Sequence, residues 1–112
     1  MRLHWQIVKR RGNARLERSS GTEAFDADKI GSRVVLRHWQ PGDRFHPIGL
    51  KAKVKIQDWF TNQKIPRERR HKLIIAVTEP GEVFWVEDQR ITETFKLTPQ
   101  TKRRLVWRWK RP

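Results

Sequence analysis

Residues 37–67 read RHWQPGDRFHPIGLKAKVKIQDWFTNQKIPR. The stretch begins as a strand, turns at Pro41-Gly42, winds through Asp43-Arg44-Phe45 and is interrupted again by Pro47 and Gly49. A short helix is predicted next. Ile65-Pro66-Arg67 stops it, because proline disfavours helical geometry in the residue before it. Within the helix Ile56, Trp59 and Phe60 stand at i, i+3 and i+4 and make one apolar stripe. Lys51 and Lys55, four residues apart, are expected to share another face, with Lys53 between them around the cylinder. The element thus joins an aromatic anchor to a basic outward side, and the rest of the chain reads as its scaffold.

Toward the N-terminus, residues 33–39 are a β-rich run. Leu3, Trp5 and Ile7 alternate with His4, Gln6 and Val8, which predicts a strand over 2–9. Residues 10–13 read as a turn, 13–16 as the start of a weak return strand and 19–22 as a loop. Asp26 is placed to cap a single helical turn, and Gly31 to end it. Toward the C-terminus, residues 68–71 form a helical turn. Residues 72–78 are apolar on both faces, the pattern of a central buried strand. Pro80-Gly81 makes a hairpin turn to a partner strand at 82–87. A further strand is expected at 90–96, then a turn at Thr98-Pro99-Gln100 and a last strand over 103–110. In that strand Leu105, Trp107 and Trp109 face one way, and Arg104, Val106, Arg108 and Lys110 the other. The fold class is α+β, mostly antiparallel, with one main helix and short helical turns in a single domain over 1–112.

Charge is the strongest bulk signal: 26 lysines and arginines against 12 acids give a net +14. It is unevenly spread. Residues 1–20, 49–72 and 102–112 carry +5, +6 and +6, whereas 21–48 are neutral and 73–101 carry −3. Patches of this size mark a polyanion-binding face rather than a uniformly solvated coat, with nucleic acid the leading ligand class. The chain has no cysteine, which excludes disulfides and thiolate metal sites and fits a reducing compartment. No apolar run approaches the ~20 residues needed to span a bilayer, so a soluble, cytoplasmic protein is expected.

Six tryptophans occur without a tyrosine. Trp59, Trp107 and Trp109 lie on apolar faces and are assigned to the core, while Trp39, beside the Pro-Gly turn, is the surface candidate. No phosphate-loop or dinucleotide motif and no nucleophile elbow is present, so no catalytic residue and no cofactor is assigned. His38, Asp43 and His46 could be drawn as a metal or acid–base site, and Asp26 with Asp28 as carboxylate ligands. Turn and cap chemistry explains both sets better: Asp43 bonds its own loop or a nearby arginine, and Asp26 caps a helix.

The phrases Phe25-Asp26-Ala27-Asp28-Lys29, Pro41-Gly42-Asp43-Arg44-Phe45, Lys64-Ile65-Pro66-Arg67, Trp85-Val86 with Arg90-Ile91, and Phe95-Lys96-Leu97-Thr98 with Thr101 follow one another in order. As an ordered set, from about residue 23 to 109, they resemble the C-terminal domain of bacterial tRNA(Ile)-lysidine synthetase. The resemblance implies an unusual β-sandwich with helices, seen also in the phenylalanyl-tRNA synthetase β-subunit. It further implies a role in holding tRNA, here isoleucine tRNA near its acceptor stem, while a separate ATP-using domain modifies the anticodon cytidine with lysine. The Ser-Gly-Gly-x-Asp-Ser phosphate motif of that catalytic domain is absent here, so this chain is not expected to be an enzyme by itself. Lys51-Ala52-Lys53 stands where the family commonly has a glycine, and Asn62 where an acid is usual.

Duplex RNA is held by phosphate, 2′-OH and shape contacts, which need a rigid basic surface. Lys51, Lys53, Lys55, Lys64, Arg67 and Arg70 are the first candidates for that surface, then Arg37 and Arg44 beside the turn, then Lys102 and Arg104. Two rival classes share the charge: a general RNA- or DNA-binding module, and an interaction domain for an acidic protein.

Overall fold

The computed structural model describes residues 1–9 and 21–111. The turn and return strand expected within 10–16, and the start of the loop at Ser19, lie outside the described residues. The elements run β1 (Arg2–Lys9), β2 (Thr22–Asp26), α1 (Ala27–Ile30), β3 (Val34–His38), β4 (Arg44–Phe45), β5 (Val54–Lys55), α2 (Ile56–Asn62), α3 (Arg67–Arg70), β6 (Ile74–Thr78), β7 (Val83–Val86) and β8 (Arg103–Lys110). They form two three-stranded antiparallel sheets, β1-β8-β2 and β3-β6-β7, and the small pair β4-β5. The expected α+β, mostly antiparallel class holds.

The sheet β3-β6-β7 is the middle layer. On β6, Ala76 packs toward the first sheet, among Phe25, Phe84, Trp85, Leu105 and Trp107. Ile75 and Val77 pack the other way, against Phe45, Ile56, Phe60 and Leu73. This is the two-faced burial that the apolar run over 72–78 predicts. On β7 strict alternation breaks. Trp85 faces Ala76 and Val83 faces Val77, which leaves Phe84 as an extra residue in a bulge. The bulge turns Phe84 and Trp85 to the same side and sends Val83 and Val86 to the other. Phe84 then meets Phe25 at 5.3 Å and Trp107 at 5.6 Å edge-to-face, and Trp85 meets Trp107 at 5.5 Å and Trp109 at 5.1 Å. Edge-to-face pairs of this kind add ~0.5–1.5 kcal/mol each beyond area burial.

Local joints follow the sequence reading. Asp26 Oδ1 accepts the Asp28 N–H at 3.1 Å, capping α1, and Oδ2 accepts the Thr101 hydroxyl at 3.1 Å, tying that cap to the Thr98–Thr101 turn. α2 ends in a Schellman motif: Ile65 N–H reaches Phe60 O and Lys64 N–H reaches Thr61 O, with Ile65 and Phe60 buried together. Behind β6, Glu87 is fully buried. Its carboxylate accepts the Ile74 N–H at 3.0 Å and two guanidinium N–H groups of Arg111.

Four expectations are corrected. Residues 90–96 are not a strand. Ile91 and Glu93 bond to residues 48 and 46 around a single bridge at Pro47, while Phe95 bonds to Asp26. Both segments turn just beyond the bridge, at Ile48-Gly49 and at Thr94-Phe95, so the ladder stops there. Lys51, Lys53 and Lys55 are not on the helix: α2 begins at Ile56, because Val54-Lys55 pairs with Arg44-Phe45 and the Ile56 N–H is held by Asp43 O at 3.0 Å. Trp39 is not the surface tryptophan. It packs edge-on against Phe60 at 5.2 Å and donates its indole N–H to Arg70 O at 2.7 Å. Trp5, 63% exposed, holds that place instead. Among the assigned core tryptophans, Trp107 is 1% exposed, whereas Trp59 and Trp109 are half-buried, each with its indole N–H bonded to a surface side chain.

These burials rank two substitutions. Trp107→Ala is expected to cost ~3–5 kcal/mol, the range for a buried large aromatic, and Trp59→Ala less, about 2–3 kcal/mol, because part of its ring is already wet. Denaturant unfolding of both variants checks the order. Equal losses would mean that α2, not the aromatic stack between the sheets, is the keystone.

Candidate nucleic-acid interface

The expected cations divide into those the fold uses and those it leaves at the surface. Arg37 on β3 is used: its guanidinium grips both Asp43 oxygens, at 2.8 and 2.9 Å. Asp43 also accepts the Gln40 N–H at 2.6 Å, so it bonds both an arginine and its own loop, as turn chemistry predicts. The hydrogen bond from Arg37 holds the Asp43 carboxyl below its ordinary value of 3.8, against the opposing effect of burial. Arg70 is used as well. Its Nε donates to Ile65 O at 2.7 Å and a terminal nitrogen reaches the Thr61 hydroxyl at 3.2 Å, stapling α3 to the end of α2. Arg104, expected at the surface, is corrected to an interior residue, 8% exposed. It lies on the central strand of its sheet, between Val8 of β1 and buried Asp26 of β2.

The remaining candidates, Lys51, Lys53, Lys55, Arg44, Lys64, Arg67 and Lys102, are all exposed. None of them forms an ion pair among the described residues. They fall in three places. Arg44 and Lys55 are cross-strand partners on β4-β5, and Arg44, His46 and Lys53 line one cleft of about 250 Å³ whose far wall carries Glu82 and Thr94. Lys64 and Arg67 sit at the corner between α2 and α3. With ~1.5 Å of rise per residue, the seven-residue α2 sets the two groups about 10 Å apart along its axis, with Asp58 the acid on the helix between them. Lys102 stands apart, just before β8. The ten candidates therefore do not form one patch: β4-β5 and the α2–α3 corner share a layer, and Lys102 belongs to the opposite sheet.

Lys64 stands out further. It is at φ 56, the left-handed conformation of the Schellman position that glycine usually fills. A side chain there costs ~1–2 kcal/mol. Sequence reading picked Lys64 for its charge and could not see the strain.

Arg2 and His4 are absent from those ten candidates, and Arg108 and Lys110 enter the sequence reading through one face of the last strand. Alternation shows which way each points, but the register that brings β1 beside β8 is not written in either strand alone.

Asp43→Asn is expected to destabilise the domain by about 1–2 kcal/mol at neutral pH, a charge-assisted hydrogen bond discounted for a half-exposed partner. Because the folded pKa is depressed, this contribution is present above the unfolded value near 3.8 and is lost as pH falls through the lower folded value. The stability gap between wild type and variant, measured by urea unfolding, should hold from pH 7 to about 5 and close below about 4. A gap that stays constant into acid would show that the carboxylate charge is not what stabilises the turn.

A family model described as the TilS substrate C-terminal domain matches residues 34–107. The chain is 38% identical over 98 residues to the tRNA(Ile)-lysidine synthase of Clostridium acetobutylicum, covering 88% of this chain and 21% of that protein. It is 30% identical over 111 residues to the tRNA(Ile)-lysidine synthase of Bacteroides thetaiotaomicron, covering 95% and 26%. The chain thus spans about a fifth to a quarter of the length of these curated relatives. Among solved structures, a TilS C-terminal domain superposes with a TM-score of 0.78 at 18% identity, covering 95% of this chain and 80% of that one. An N-terminal fragment of the phenylalanyl-tRNA synthetase β-subunit from Pyrococcus horikoshii superposes at 0.65 with 20% identity, covering 80% and 28%. Those two likenesses establish the shared fold, and the sequence matches establish the lineage: the chain belongs to the TilS substrate C-terminal domain family.

Proposed function

We propose that this domain holds tRNA, gripping the sugar–phosphate backbone through β4-β5 and the α2–α3 corner while a separate ATP-using domain attaches lysine to the anticodon cytidine. The observation that carries the reading is the group of exposed cations at the two ends of α2, without acidic partners among the described residues, in a chain whose relatives are tRNA(Ile)-lysidine synthases. A rigid surface of point charges suits the phosphates of a stem, and the acceptor-stem region of isoleucine tRNA is the segment assigned to it. Lysidine formation itself belongs to the catalytic domain. The sequence of this chain holds neither a phosphate-loop motif nor a nucleophile elbow to carry that step.

Lysines that meet phosphates release counterions, so affinity must fall steeply with salt, by ~0.9 in log–log slope per phosphate for B-form duplex. Replacing Lys51, Lys53 and Lys55 together with glutamine is expected to flatten the tRNA slope by roughly two to three units, with stability changed by less than ~0.5 kcal/mol. Titration of tRNA across a salt series, with melting curves, checks both. Equal affinity for tRNA and an unrelated DNA duplex would favour the general binder, and preference for an acidic polypeptide the protein-docking alternative. Lys64→Gly separates strain from function: it should raise stability by about 0.5–1 kcal/mol while lowering the slope by about one unit. A gain in stability with unchanged tRNA binding would remove Lys64 from the interface.

A further inference from the structure

We propose that the outer face of the β1–β8 ladder is a second phosphate-binding surface, which takes the backbone of double-helical RNA on the side of the domain opposite β4-β5. The inference rests on the tRNA reading above.

The antiparallel register sets Arg2 directly opposite Lys110, and His4 opposite Arg108, with Thr22 of β2 on the far side of Arg108. Leu105 and Trp107 point into the core, and alternation therefore turns Arg108 and Lys110 outward. The same rule turns Leu3 and Trp5 inward and Arg2, His4 and Gln6 outward. Of the six outward residues of this end, Arg2, His4, Gln6, Arg108 and Lys110 are exposed, and Val106, opposite Gln6, is buried. Cross-strand partners have Cβ atoms ~4.5–5.5 Å apart, and like charges so placed destabilise a sheet. Among the described acids near this end, Glu23 lies opposite Trp107 and so turns to the inner face, and Glu87 and Asp88 are engaged elsewhere. Glu87 is held by Arg111, and Asp88 accepts the Trp109 indole N–H at 3.1 Å and pairs with Arg69 at 3.2 Å. A repulsive cluster on a rigid eight-residue ladder is the arrangement that an arriving polyanion relieves.

The chemistry of the face also selects the form of RNA. Trp5 and Trp109, the large aromatics of these strands outside the buried core, lie on the opposite side of the ladder. The outer face thus lacks a stacking platform for unpaired bases among the described residues. Arginine and lysine for phosphate, with Gln6 and Thr22 as uncharged partners for 2′-OH groups, fit the backbone of a duplex. The middle sheet separates this face from α2 and β4-β5, so one straight stem cannot lie on both surfaces. The domain would instead sit between two segments of a folded RNA.

The test compares tRNA affinity across a salt series for wild type, R2Q/R108Q/K110Q and K51Q/K53Q/K55Q, with melting curves for each. The expected result is a slope flattened by roughly two to three units in R2Q/R108Q/K110Q, separately from the loss in the lysine variant. If R2Q/R108Q/K110Q runs parallel to wild type while the lysine variant flattens, the second face falls and the tRNA reading stands. Absence of salt-dependent tRNA binding by wild type sinks both. As a check that needs no substitution, acetylation of Lys110 in wild type should slow several-fold when tRNA is bound, while exposed Lys29 on α1 serves as reference. An unprotected Lys110 overturns the proposal even if the triple variant fails to fold.

Discussion

Burial of β6 on both faces is the constraint on which the rest of the domain depends. A strand with no solvent side must be covered twice: Ala76 calls for one apolar layer, and Ile75 with Val77 for another. The first is supplied by β1-β8-β2 with α1, the second by α2 with β4-β5. The bulge at Phe84 serves both, because it gives two large aromatics to the inter-sheet core and two valines to the helix side from a single short strand. Without that extra residue one aromatic would be turned into the valine layer, where a ring would overfill a space packed for smaller side chains.

The phrases that carry the family resemblance are for the most part joints of this frame. Asp26 and Thr101 lock a helix cap to a distant turn, Asp43 closes the turn before β4 with Arg37, and Ile65 completes the Schellman motif that ends α2. Each satisfies a backbone or charged group that burial would otherwise leave exposed to loss of water. This explains why a motif-level resemblance identifies the fold so well while saying less about which cations meet RNA. Among the motif residues, Lys64 alone combines a strained backbone with an exposed charge.

The basic surface shows a similar division. Arginines proved prone to structural work, as Arg37, Arg70 and Arg111 each make several hydrogen bonds within the fold. A planar fork of donors suits such stapling, whereas a lysine ammonium is strongly hydrated and stays at the surface. Lys51, Lys53, Lys55, Lys64 and Lys102 accordingly remain without ion pairs among the described residues, and net charge alone overstates the number of groups free to meet phosphate.

What the sequence by itself determined were features whose causes lie within a few residues. These are the alternation of β1 and β8, the double-sided apolar run of β6, the Asp26 cap, the Asp43 turn and the apolar stripe of α2. The α+β class followed from them, as did the basic character of the surface. Tertiary structure alone decided whatever needed a partner far along the chain. Pairing of Val54-Lys55 with Arg44-Phe45 pulled three lysines off the expected helix, and turns at Ile48-Gly49 and Thr94-Phe95 held residues 90–96 to a single bridge. The pairing of β8 set Arg104 between Val8 and buried Asp26, and its register with β1 assembled Arg2, His4, Arg108 and Lys110. Local patterns record which way a side chain points along its own strand or helix. Whether it ends up covered, paired or free depends on which distant segment packs beside it, and no short-range period encodes that.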